Sequence, residues 1–232
     1  MSRRSWTVAR WVAAILALAG VTYPFVVRPW HRRWGATDEE VVRQMPGDDI
    51  AQHPVEATTR AVTVWARPEQ IWPWLTQIGN LRGGLYSYDW IDLMIGALQA
   101  PSVGQILPQF QDLRVGDMVP YAVGTPMRVE ALERNRTLLL AYRDAGVAVT
   151  QSWTIQPLDD GRSRLVLRVR SALPVTWRRL PVLLFLDPAE FVMVRKQLLG
   201  IKWRAERLAA SQKSRSATPS LRTRAFFREG SS

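Results

Sequence analysis

PAEFVMVRKQLLGIKWRAERLAA, residues 188–210, is the stretch on which the architecture turns. Its apolar residues fall at Phe191, Val194, Leu198, Ile201, Ala205 and Leu208, in alternating steps of three and four that trace one face of an α-helix. Arg195, Lys196, Lys202, Arg204 and Arg207 fill the opposite side. At about 1.5 Å per residue such a helix is roughly 30 Å long, and its single apolar face requires an apolar partner of similar length.

The residues before it provide one. Arg164–Ala172 alternates, with Leu165, Leu167 and Val169 on one face and Val166, Arg168 and Arg170 on the other. Val147–Pro157 reads as its hairpin partner across Asp159-Asp160-Gly161. Thr58–Ala66, Val115–Val123, Met127–Glu133 and Thr137–Arg143 are further strands. Pro68-Glu69 opens a helix that stops at Gly79, and Pro73 inside it predicts a kink or division into short pieces. Residues 83–96, GGLYSYDWIDLMIG, read as a second short helix. The order is strand, two short helices, antiparallel strands, long terminal helix. This is an α+β arrangement in which a curved antiparallel sheet closes around the terminal helix and leaves a cavity between them.

The net charge of +11 is unevenly placed. Residues 1–34 hold six arginines and no acid, residues 211–232 carry +4, and residues 35–210 carry only +1. A nucleic-acid-binding module concentrates charge on its folded part, so no nucleic-acid partner is expected. Residues 11–27, WVAAILALAGVTYPFVV, contain no charged side chain and are flanked by three arginines on each side. They predict a single transmembrane helix, with a cleaved signal peptide ending near Ala17-Leu18-Ala19 as the competing reading. The expected organisation is a membrane anchor at 1–34, a linker at 35–57 packing on the domain, the domain at 58–210, and a disordered basic tail at 211–232.

Much chemistry is excluded by residue supply. There is no cysteine, and the two histidines, His31 and His53, both precede the expected domain. Thiol nucleophiles, triads and zinc sites therefore lack their parts, and neither a metal nor another cofactor is expected. Gly79–Gly84 leaves a helix rather than joining strand to helix, which argues against a phosphate loop. Acid–base work in a cavity remains. Asp89 and Asp92, three apart beside Tyr86, Tyr88 and Trp90, are the candidates, with Asp89 the weak catalytic choice. Solvated or capping aspartates are the plainer reading. Trp72, Tyr86, Tyr88, Trp90, Trp153, Phe191, Val194, Leu198 and Ile201 are the expected cavity residues. Arg195 and Lys196 could meet an acidic headgroup, although a solvated face is the simpler reading.

Residues 28–41 (RPWHRRWGATDEEV), 45–49 (MPGDD), 59–79, 82–92, 115–120 (VGDMVP) and 191–206 together resemble the SRPBCC superfamily, the START-like, helix-grip proteins. Within it they look like a bacterial subgroup often labelled polyketide cyclase/dehydratase-like. The resemblance spans about residues 28–208. It implies a deep apolar cavity and a lipophilic ligand, and it transfers no catalytic residue. The expectation is a membrane-anchored carrier for a hydrophobic small molecule or lipid. The alternatives are a polyketide cyclase- or dehydratase-type enzyme using the same cavity, and an interaction module using the basic tail.

Overall fold

The computed structural model of the chain describes residues 10–11, 22–174 and 180–217, with side chains left out at 180–186, 216 and 217. Six strands form one antiparallel sheet: β1 Glu56–Val64, β2 Met118–Ala122, β3 Thr125–Glu133, β4 Thr137–Asp144, β5 Val147–Pro157 and β6 Ser163–Ala172. Their order is β1-β6-β5-β4-β3-β2. Every neighbouring pair from β2 to β6 is a hairpin, and β1 joins at the far edge by pairing with β6. Register shifts at Pro120/Ala122 and Val129/Ala131 mark irregularities of the kind that bend a sheet.

The helices are α1 Arg28–Arg32, α2 Asp38–Val42, α3 Pro68–Thr76, α4 Asp89–Met94 and α5 Leu180–Ala217. Helix α5 has 38 residues, about 57 Å at 1.5 Å per residue. It starts before Pro188 and passes the expected end at Ala210, so residues 211–217, assigned from sequence to a disordered tail, are helical. Residues 218–232 lie outside the described residues. Helix α3 runs through Pro73 in one piece, because the lost N–H falls only one turn before the helix ends; the Pro73 carbonyl accepts from Thr76 Oγ1.

Alternation assigns the two faces of the sheet. Val62, Val64, Leu138, Leu140, Trp153, Ile155, Leu165 and Leu167 form one core with Leu198, Ile201 and Ala205 of α5. The face opposite holds Ala61 and Val166 against Met45. There the segment before β1 is pinned by a row of arginines at alternate positions of β6. Arg164 pairs with Glu40 at 2.7 Å. Arg168 bonds Thr59 Oγ1, Asp48 and the carbonyls of Glu40, Val41 and Arg43. Arg170 bonds the Ala51 carbonyl at 3.0 Å. Thr37 and Glu40 close a capping box that starts α2. The free edge of β1 is covered where Ala61 N–H donates to the Trp34 carbonyl, and Gly35 permits that approach: a Cβ there would lie 2.2 Å from the Ala61 oxygen.

Most of the predicted transmembrane stretch, 12–21, lies outside the described residues. Among the described residues no helix is long and apolar enough to cross a membrane. Residues 23–32, placed in the anchor from sequence, are tied to the fold. Tyr23–Val27 forms a π-helical turn, and Tyr23 and Arg28 both bond Asp187 of α5.

Candidate ligand-binding site

The register lays the inner face out in rows. Arg60, Leu167, Trp153 and Leu138 face one another across β1, β6, β5 and β4, and none is more than 1% exposed. The next row is Thr58, Val169, Gln151 and Leu140. The row beyond is Glu56, Ser171, Val149 and Tyr142, all half-buried. Exposure along this face therefore rises from the Arg60–Leu138 row to the Glu56–Tyr142 row.

Polar groups gather in the middle row. Gln151 Oε1, Thr58 Oγ1 and, one row back, Trp153 Nε1 are buried without a hydrogen-bond partner in the protein. Buried polar atoms are rarely left unpaired, and each such loss costs about 1–3 kcal/mol. All three belong to residues of the inner face of the sheet.

Across from them, on β2, the Tyr121 phenol accepts from Gln197 Nε2 at 2.8 Å and approaches Gln197 Oε1 at 3.1 Å. The Gln151 amide stands within reach of the same phenol. Tyr121 is half-buried and packs against the core. Its pKa is pushed up to about 12, chiefly by desolvation; the glutamine hydrogen bonds act downward and the carboxylates of Asp92 and Glu190 upward. The phenol is thus a neutral donor at physiological pH.

A charged cluster borders this space at the start of α5. Asp187 accepts from Arg28 Nε at 2.7 Å and from Tyr23 at 3.0 Å. Arg60, fully buried, donates to the His31 carbonyl at 2.9 Å and pairs with Glu190 at 2.7 Å. His31 is 1% exposed, which corrects the expectation that both histidines precede the domain. Its pKa is lowered, mainly by burial and further by Arg60, while Asp187 acts upward. Among the described residues no group of three or more His, Asp or Glu could hold a metal ion.

The residues expected from sequence divide. Trp153, Val194, Leu198 and Ile201 lie between sheet and α5. Phe191 is half-buried against Trp30, His31 and Trp34. Tyr86 is buried at a φ of 60°, its ring against Trp74 and under the Arg204 guanidinium. Tyr88 is half-buried with Lys196 over its ring. Trp72 lines a separate cleft of about 200 Å³ between α3 and the β3–β4 turn. Trp90 is 65% exposed.

Asp89 accepts from Ser102 Oγ at 2.6 Å, and that hydroxyl accepts from Tyr86 N–H, so Asp89 braces a loop. Asp92 is the buried acid of the pair; it bonds Ser87, and burial raises its pKa. Tyr121, Gln151, Thr58, Arg60 and Gln197 escaped the sequence reading. Arg60 and Gln151 carried a signal, since each is a polar residue at an inward register position, two before Val62 and Trp153 respectively.

No family model and no curated protein matches the chain. Solved structures overlap it loosely. CV1439 from Chromobacterium violaceum is 16% identical, covers 65% of this chain and 96% of its own, and has a TM-score of 0.38. TTHA0849 from Thermus thermophilus is 16% identical over 67% of this chain and 99% of its own, at 0.39. The KanY protein is 13% identical over 65% and 97%, at 0.42. At such scores no function passes to this chain.

Proposed function

We propose that the chain binds a small, largely apolar molecule between the sheet and α5, through a polar group met by Gln151, Tyr121 and Gln197. The observation that carries this is the set of unpaired buried atoms, Gln151 Oε1, Thr58 Oγ1 and Trp153 Nε1, on the face of the sheet that also carries the apolar core. Small-molecule sites have that character: apolar walls and few convergent polar groups. The reading agrees with the resemblance of the sequence to the SRPBCC, helix-grip proteins.

A second reading has its own support. A neutral phenol under the influence of two carboxylates, Asp92 and Glu190, can donate a hydrogen bond to a substrate carbonyl while an acid of raised pKa exchanges a proton. That is the chemistry a cyclase or dehydratase acting on an aromatic polyketide would use, with Asp92 rather than Asp89 as the acid.

The test is extraction and mass spectrometry of small molecules carried by the purified full chain and by Gln151→Leu. A compound present in the first and depleted in the second supports binding; the same complement in both defeats it. With a compound in hand, chemical change that Tyr121→Phe or Asp92→Asn abolishes while binding persists supports the enzyme. Unchanged compound throughout supports the carrier.

A further inference from the structure

Helix α4 is short and unusually apolar on its outside. Trp90, Leu93, Met94 and Ile95 are 65%, 38%, 71% and 64% exposed. Two neighbours extend the patch. Val123, 45% exposed, follows Tyr121 by two residues and donates its N–H to the Ala97 carbonyl. Leu81, 64% exposed at a φ of 57°, adjoins Asn80, whose side chain accepts from Gln99 N–H and whose own N–H donates to the Pro120 carbonyl. A contiguous cluster of large exposed apolar side chains marks a contact surface rather than ordinary exposure.

The surroundings indicate the partner. Between residues 80 and 111 the only acids are Asp89 and Asp92, and both are turned onto serines. Lys196 is exposed on α5 beside the patch, over the ring of Tyr88, the residue that precedes α4. An apolar patch carrying an exposed tryptophan, with Lys196 at its rim, complements an anionic lipid surface. The sequence adds an independent argument. The uncharged run 11–27 leads into Phe25, Val26 and Val27, all exposed, and then into Arg28 and His31, which meet α5 at Asp187 and Phe191. From Asp187 to Lys196 is nine residues, about 14 Å along the helix. Both apolar elements thus attach to the same end of α5.

We infer that the outer face of α4, with Leu81 and Val123, docks on an anionic lipid surface. This stands independently of which molecule the space binds.

The chain has no cysteine, so Met94→Cys gives a single labelling site for an environment-sensitive dye. Asp160→Cys, in the β5–β6 turn, is the reference. The full chain is mixed with vesicles of phosphatidylcholine and phosphatidylglycerol containing spin-labelled lipid. The expected result is a blue shift and strong quenching at position 94 and neither at 160. Equal response at the two positions, or none at either, overturns docking. A blue shift at 94 that grows with protein concentration in the absence of lipid shows a second copy instead, and also overturns it. Trp90→Ser with Ile95→Ser in the labelled chain should remove the lipid response and leave circular dichroism and the bound small-molecule complement unchanged. A persistent response refutes the assignment.

Discussion

Gly200, in the middle of α5, offers a test in which two physical effects have opposite sign. Propensity alone favours Gly200→Ala by about 1 kcal/mol, since glycine is the poorest ordinary residue in a helix interior. Packing opposes it. A Cβ at Gly200 would lie 2.1 Å from the Tyr86 carbonyl oxygen and 3.1 Å from Tyr86 Cβ, where ordinary contact begins at 3.4 Å. The obstacle is backbone, held by Tyr86 N–H to Ser102 and by Arg204, which donates to the Val103 carbonyl at 2.9 Å. Helix and loop must separate by more than an ångström, an overpacking cost near the upper end of about 1–3 kcal/mol. The net expectation is a loss of about 2 kcal/mol, which for a chain of this size lowers Tm by about 4–8 °C. Thermal denaturation followed by circular dichroism measures it. Gly104→Ala, where a Cβ meets nothing within 4 Å, is the control and should be neutral or slightly stabilising. A Gly200→Ala chain as stable as wild type, or more so, refutes the close approach of the 83–103 loop to α5.

Gln151→Leu should deplete bound ligand while moving denaturant melts by less than about 1 kcal/mol, because losing an unpaired buried acceptor offsets losing the amide's bond to Tyr121; a loss above about 2 kcal/mol would mean that the acceptor is paired within the protein. Arg168→Met should cost about 3 kcal/mol and expose residues 36–52 to proteolysis, since at a site 5% exposed it strips a charged donor from the carbonyls of Glu40, Val41 and Arg43 and leaves Asp48 only Arg170 as an ionic partner. His31 is held neutral by burial, its pKa below the ordinary 6.5. Its contribution is therefore complete above about pH 6.5 and is lost as pH falls toward the lower folded value, so wild type should lose stability below about pH 6.5 more steeply than His31→Gln. Identical slopes in pH-dependent melts would place His31 in solvent.

The residue pattern was sufficient for the scaffold. The 3-4 spacing from Phe191 to Leu208 and the alternation of Leu165, Leu167 and Val169 each answer to a short-range period, and both surfaces meet in the core those patterns imply. Boundaries were less legible. Pro188 reads as a helix start, yet α5 begins at Leu180, and Ala210 reads as an end, yet the helix reaches Ala217. The stretch around Asp89 and Asp92 did not tell which of the two acids is buried. Spacing of three places both on one side of a helix, but α4 spans only Asp89–Met94, and its packing buries Asp92 while leaving Asp89 to Ser102. Tyr86 and Trp90, four apart, were expected to share a helix face beside the cavity; the helix starts only at Asp89, so Tyr86 is buried while Trp90 is exposed.

By itself, then, the sequence determined which segments are strands, which helix closes them, and which chemistries lack their parts, because periodicity and residue supply are local properties. Only the tertiary structure decided the site. Tyr121, Gln151 and Gln197 are dozens of residues apart, and register and helix docking bring them together. His31 and Arg60 became interior groups because the segment before β1 folds back against α5. No periodicity encodes such meetings; they follow from how the chain spends its apolar faces on one another, and that is settled only when all the faces are in place.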